Sequence, residues 1–332
     1  LLPVYISLFV AAAVVSVFAA IKLASYADVI SKETKISGLV IGSALLATGT
    51  SLPELTSTVS AAVINSPDIA VGNGLGSITF NFFVLFLIDM HYRRKRLFLK
   101  VSDNHIFTGL LGMLLCVIAA FSLYFDADWT VMTLSLSSML MITVYIGGLL
   151  LISAKDQQDL QAQQNAFSSS DKNSDSRPIR KIILRFILFV MIIFVSGSAL
   201  SVTGDLLAQN SGISASAVGS LFIAAASSLP DAVSVWVALR AANINLAIGT
   251  ILGSNIFNIF VIPVADIFYR KGSIWAEVSD QHIATAAAGF ILTSLVLLII
   301  KRDKTRNTFT YVIPSFTIVV GYLIFSIFYV LN

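Results

Sequence analysis

The sequence predicts an all-α polytopic membrane protein, ten transmembrane helices arranged as two inverted five-helix repeats. Three observations predict it: the composition, the length of the apolar runs, and a set of polar residues that recurs at a fixed offset. Of 332 residues, 57% are hydrophobic and 12% charged, whereas an ordinary soluble domain carries about 25% Asp, Glu, Lys and Arg. Soluble-enzyme classes are thereby excluded. A spanning helix needs ~20 apolar residues, and runs of that length fall near 4–24, 38–64, 69–90, 106–124, 129–153, 182–205, 213–241, 246–268, 282–300 and 310–331. Barrel strands would be half as long and alternate in polarity, which a run such as Ile283 to Ile300 does not do.

The connections between these runs carry the orientation. If successive runs cross alternately, 18 of the 21 basic residues lie on one side, including Arg93, Arg94, Lys95, Arg96, Arg180, Lys181, Arg240, Lys301 and Arg302. Only Arg270 and Lys271 lie on the other. The positive-inside bias then puts both termini outside, and the acidic pair Asp126 and Asp128 falls on the outer side. A cell-membrane location is expected, with the lipid bilayer as partner. The formal charge of +3 gives no support for nucleic acid. Residues 155–181 are rich in Ser, Asp, Asn and Gln and read as a disordered cytoplasmic linker, too short for a folded regulatory domain. The single cysteine, Cys116, permits no intrachain disulfide. No short apolar segment with a small-residue cleavage site opens the chain, and its start at Leu1 reads as a trimmed N-terminus.

Residues 36–108 align without a gap to 213–285, an offset of 177. The pairs include Gly42/Gly219, Ser51/Ser228, Pro53/Pro230, Ser57/Ser234, Gly72/Gly249, Gly76/Gly253, Ser77/Ser254, Asn81/Asn258, Asp89/Asp266 and Arg93/Arg270. Apolar helices resemble one another by composition, but polar residues in register do not. The chain divides into a first repeat at 1–154 with its signature at 36–93, the linker at 155–181, and a second repeat at 182–332 with its signature at 213–270. Five crossings per repeat is odd, so the second copy enters from the opposite side. In transporters of that architecture the substrate site lies near mid-membrane where the repeats meet.

Two carboxylates fall well inside apolar runs, Glu54 and Asp231, and they are repeat mates. A carboxylate at that depth is costly and marks a site; the alternative, an acid tied up in helix packing, lacks an intramembrane Lys or Arg as partner. Each follows a proline, Pro53 or Pro230, which frees the carbonyl four residues earlier, at Gly49 or Ala226. Broken backbone at membrane depth is tolerated where it lines a cavity. Thr50 with Glu54, Ser227 with Asp231, Ser77 with Asn81 and Ser254 with Asn258 are each four residues apart and share a helix face. Gly72 with Gly76 and Gly249 with Gly253 allow close helix approach. The set holds carboxylates, hydroxyls, amide oxygens and carbonyls, and no His, Cys or Met, so it suits a hard cation. Calcium takes six to eight oxygens in adaptable geometry, two carboxylates balance one divalent ion, and sodium fits the same oxygens. Leaving two carboxylates empty in a dehydrated site is costly, a physical reason for the site to switch sides only when filled.

The segments GTSLPE at 49–54, SSLPD at 227–231, and GSITFN and GSNIFN at 76–81 and 253–258 resemble the two signature repeats of the sodium/calcium exchanger family, within the cation/calcium antiporters. The resemblance implies a sodium/calcium antiporter with no cofactor, in which Glu54 and Asp231 bind both transported ions. It implies hydroxyl ligands at Thr50, Ser51, Ser77, Ser227, Ser228 and Ser254, amide ligands at Asn81 and Asn258, and backbone carbonyl ligands at Ala47 and Ala224. It further implies that the first and sixth helices slide across a fixed core. The chain departs from the family in having Ser227 where Thr is frequent, Ala226 where Gly is frequent, and Ile78-Thr79 where Asn255-Ile256 keeps the pattern. Potassium-dependent and many prokaryotic members place Asp at the position of Asn258, so its amide counts against potassium dependence and against the usual three-to-one sodium stoichiometry; the proton-driven branch shows Gly-Asn-x-x-Glu in place of GTSLPE, which counts against protons.

Other readings stand beside these. The serines and threonines of the set read either as ligands or as ordinary helix-to-helix hydrogen bonds. Asp89 and Asp266, each four residues before an arginine, are expected in interfacial salt bridges with Arg93 and Arg270. Asp103/His105 and Asp280/His282 follow serines at helix starts and are expected to be capping residues, with pH sensing as the second reading. His91, in a basic loop, is expected to be solvated. A cation channel with an acidic ring is the rival class, and an intramembrane hydrolase has no Ser/His pattern at depth.

Overall fold

The structure, a computed structural model, describes residues 1–33, 38–92, 98, 101–103, 105–125, 129–131, 134–164, 179–240, 244–301 and 308–331; the side chains of 27–29, 31–33, 38–49, 131, 155–164, 179 and 308–310 lie outside the description. Ten long helices follow in order: α1 (Leu2–Glu33), α2 (Gly38–Val63), α3 (Pro67–His91), α4 (His105–Tyr124), α5 (Leu136–Gln164), α6 (Ile179–Ser211), α7 (Ala215–Arg240), α8 (Ile244–Asp266), α9 (Gln281–Ile300) and α10 (Thr308–Leu331). Among the described residues nine are long and apolar enough to cross a membrane, and α2 is the tenth long helix. The all-α polytopic reading therefore holds. One exception is a short hairpin before α5, β1 (Thr130–Val131) against β2 (Leu134–Ser135), where the apolar run alone predicts helix from 129. α5 also continues to Gln164, well into the stretch expected as linker, because its Ala, Lys, Gln and Leu content favours helix.

Local chemistry marks the ends. Asn65 (φ 60°) and Gly212 (φ 77°) take left-handed backbone between α2 and α3 and between α6 and α7, conformations open to Asn and Gly. Pro67 opens α3, where its missing N–H costs nothing. Ser214 caps α7, its hydroxyl accepting from the Ala217 N–H at 3.2 Å.

α3 and α8, symmetry mates, form the enclosed centre. They pack on each other and on α2 and α7; α10 lies against α3, as α5 lies against α8, and α4 against α9. α1 and α6 pack along each other and reach the rest mainly through α2, an arrangement of a two-helix layer on a core. Val14, Phe18, Leu150, Leu184, Leu188 and Phe328 point outward from the outer helices, as lipid-facing residues must where the solvent is hydrocarbon.

Candidate functional site

Four helices, α2, α3, α7 and α8, bring the chemistry together. Glu54 and Asp231 sit on α2 and α7 with no exposure, and Asp231 is a charged neighbour of Glu54. Thr50, Ser51, Ser77, Asn81, Ser227, Ser228, Ser254 and Asn258 are all buried side chains, and Ala224 is buried too. Thr50, Asn81 and Ser254 flank the Asp231 carboxylate. Ser228 Oγ donates to Glu54 Oε1 at 3.0 Å. Ala47 lies in the part of α2 whose side chains are outside the described residues.

The helices do not break at the prolines. α2 runs through Pro53 and α7 through Pro230, with the Ser57 and Ser234 hydroxyls donating to the proline carbonyls at 2.7 and 2.9 Å. The irregular turn lies earlier, a π-helical stretch at Val218–Ile223 within α7, the kind of widened turn that recurs at functional sites. It presses on α3 so closely that a Cβ on Gly76 would collide with the Ser220 backbone and one on Gly72 would come within 2.9 Å of Ser220 N. Glycine at these two positions is what lets α7 cross α3 there.

Unpartnered oxygen is the electrostatic signature of the centre. Glu54 Oε2, Ser77 Oγ, Asn81 Oδ1, both Asp231 oxygens and Asn258 Oδ1 are buried without a hydrogen-bond donor in full geometry. Native interiors satisfy nearly all buried polar groups, so several orphans in one place require explanation. Among the described residues neither carboxylate has a cationic partner, and no cluster of three or more His, Cys, Asp or Glu occurs. The Asn255 and Asn258 Nδ2 atoms are unpartnered there as well, and a set of mostly oxygen atoms with two carboxylates and no cationic partner accommodates a hard cation.

Two amides in this region do more than spacing suggests. Asn255 Oδ1 accepts from Asn81 Nδ2 at 3.0 Å, which orients the Asn81 amide. Asn73, between Gly72 and Gly74, bridges three helices through Ser227, Ser57, Thr58 and the Glu54 carbonyl. The signal for Asn73 was an amide interrupting an apolar helix at a position where its repeat mate is Thr250.

Among the remaining acids, Asp266 and Asp280 depart from expectation. Asp266 accepts from Ser135 N at 3.0 Å, Ser135 Oγ at 2.7 Å and Ile274 N at 2.8 Å; these donors, and not Arg270, satisfy it among the described residues. Asp89 accepts from Tyr311 OH at 2.6 Å and Ser315 Oγ at 2.7 Å; the expected Arg93 lies outside the described residues. Both acids anchor the start of a distant helix, a tertiary demand that at Asp266 overrides the four-residue neighbour. Asp280 makes no side-chain cap to α9. Ser279 Oγ accepts from Gln281 N at 3.3 Å, and Asp68 on α3 takes Ser279 N at 2.8 Å, pairs with buried His282 Nε2 at 3.0 Å and accepts from Ser216 Oγ at 3.0 Å. His91 is exposed, with its ring against Tyr92 and Trp236.

Ten long helices in two related halves, with polar side chains gathered where the halves meet, define a secondary-transporter architecture. The family model for the sodium/calcium exchanger protein matches residues 4–154 and 181–331, and the chain belongs to that family. It is 24% identical over 261 residues to the inner membrane protein YrbG of Escherichia coli (strain K12), covering 78% of each chain. Its fold is similar to that of the sodium-calcium exchanger NCX_Mj (TM-score 0.57, 18% identity, 98% of each chain). It is likewise similar to the H+/Ca2+ exchanger CAX (TM-score 0.62, 14% identity, 97% of this chain and 87% of that one). The chain is thus a membrane protein of a cation/calcium exchanger family, a transporter class.

Proposed function

We propose that the protein is a secondary antiporter that exchanges sodium for calcium by alternating access, with both ions held between α2, α3, α7 and α8. The observation that carries the reading is the group of buried, donorless oxygens around Glu54 and Asp231. Calcium, which takes six to eight oxygens, is the divalent ion this set suits, with Glu54 and Asp231 supplying the balancing charge. Thr50, Ser51, Ser77, Ser227, Ser228, Ser254, Asn81 and Asn258 supply neutral oxygens, and Ala47 and Ala224 backbone carbonyls. Sodium uses the same oxygens in the other half of the cycle. An empty site leaves two carboxylates facing each other without water, so the filled forms cross and the empty form does not. The bias of the basic connections supports a cell-membrane protein with both termini outside and the 155–181 connection cytoplasmic, with 1–154 and 182–332 as the two inverted halves.

The test is calcium uptake into proteoliposomes loaded with sodium, with potassium, or with a proton gradient alone. Uptake that requires internal sodium is expected. Uptake driven by protons alone overturns sodium coupling in favour of a proton-driven exchanger, a requirement for potassium points to the potassium-dependent type, and calcium conductance without counter-ion supports a channel.

A further inference from the structure

Asn73 lies in the first third of α3 with no exposure, and both ends of its amide are used. Its Oδ1 accepts the Ser227 hydroxyl at 3.0 Å. Its Nδ2 faces Ser57 Oγ at 2.8 Å, Thr58 Oγ1 at 2.8 Å and the Glu54 carbonyl at 3.3 Å. One side chain therefore ties α2 and α7 to α3 at the level of the two helices that carry Glu54 and Asp231. The repeat mate does nothing comparable: the Thr250 hydroxyl donates to Leu246 O of its own helix at 2.8 Å.

The chemistry of the Ser227 hydroxyl decides what this means. A serine oxygen has one proton and two lone pairs, and a cation needs the lone pairs. The Ser227 proton has two acceptors within reach, Asn73 Oδ1 at 3.0 Å and the Ala224 carbonyl at 3.3 Å. Donation to Ala224 would spend a lone pair of a carbonyl that is itself a candidate ligand. Donation to Asn73 keeps that carbonyl open and leaves Ser227 as a pure acceptor toward its other side.

We propose that Asn73 is a positioning residue for calcium binding: it draws the Ser227 proton away from the Ala224 carbonyl, so that both oxygens are available to the ion. The proposal rests on the reading of Ser227 and Ala224 as ion ligands. It predicts that Asn73 acts on affinity through Ser227, and that the second repeat, with Thr250 in the equivalent place, lacks this device.

The experiment is a double-mutant cycle in sodium-loaded proteoliposomes, with KM for calcium and kcat measured separately. Asn73→Ala strips both ends of the amide; Asn73→Thr installs the residue of the other repeat and serves where the alanine variant fails to fold, with unfolding temperature in detergent as the control. Ser227→Ala alone is expected to raise KM. Asn73→Thr is expected to raise KM about three- to tenfold, the range of one net hydrogen bond, with little change in kcat. In the Ser227→Ala background the same change is expected to add nothing. A KM raised by Ser227→Ala but multiplied further by Asn73→Thr overturns the positioning role while leaving Ser227 a ligand. An unchanged KM in Ser227→Ala removes the ligand reading and the proposal with it, and an unchanged KM in Asn73→Thr removes the proposal alone.

Discussion

The two halves of the molecule use the same contacts at their edges and differ at two helix-bridging positions of their centre. At the edges, Asp89 receives the start of α10 through Tyr311 and Ser315, and its mate Asp266 receives the start of α5 through Ser135. Asp68 accepts Ser279 N at 2.8 Å, and its mate Asn245 accepts Ser102 N at the same distance. At the centre, Asn73 faces Thr250 in the alignment and Ile78 faces Asn255, and the amides that bridge helices belong to one half at each place. Edge contacts only have to seat a helix end, which either copy does with the same acceptor. The central residues face a shared space, where two identical halves would present the same groups twice. Duplication therefore preserves the frame and the central oxygens of Ser51/Ser228, Ser77/Ser254 and Asn81/Asn258, and the halves part at Asn73/Thr250 and Ile78/Asn255, where one member of each pair bridges helices around them.

The sharpest way to break this comparison is to neutralise each central acid in turn. Glu54→Gln and Asp231→Asn are both expected to abolish calcium uptake in sodium-loaded proteoliposomes while the protein stays monodisperse. Each removes one of the two charges that balance a divalent ion in a desolvated site. If one variant keeps normal uptake, the two acids are not partners and the site belongs to one half only. A smaller effect is expected of Asn258→Asp, which puts a carboxylate in the second half in place of an amide whose Oδ1 and Nδ2 are both unpartnered. It should shift the ratio of sodium to calcium affinity without abolishing flux; unchanged selectivity in competition assays would place Asn258 outside the site.

What the sequence made legible follows the same division. Polar residues in register across 177 positions disclosed the repeat, and four-residue spacing selected Thr50, Glu54, Ser77, Asn81 and their mates, which the fold buries together. Spacing speaks for neighbours on one helix face and is silent about partners on another helix. That is why spacing pairs Asp266 with Arg270, one turn away, whereas its donors come from Ser135 and Ile274. It is also why Asp280 and His282 read as local caps when Asp68, more than two hundred residues earlier, supplies the acceptor. Asn73 escaped for a related reason. Its mate is Thr250, so a search for matched pairs passes over a residue whose value lies in being unmatched. The hairpin before α5 shows the limit of hydropathy, since Trp129 to Ser135 is apolar enough to extend the helix and pairs with itself instead.

The gentlest test concerns the edge contact in which the halves differ by one charge. Asp68 Oδ1 gathers three donors, from Ser216, Ser279 and His282, whereas Asn245 seats Ser102 N with a neutral oxygen. If the frame requires only an acceptor, Asp68→Asn should cost about 1 kcal/mol, the difference between a charge-assisted and a neutral hydrogen bond, and leave transport intact. Asp68→Ala should cost more, because it leaves the buried His282 ring and the Ser279 N–H without their acceptor. Unfolding in detergent, followed alongside uptake, separates the two. Should the asparagine variant unfold as readily as the alanine variant, the charge itself holds α3 to α9, and the Asp68 contact is an ion pair that its mate at Asn245 does without.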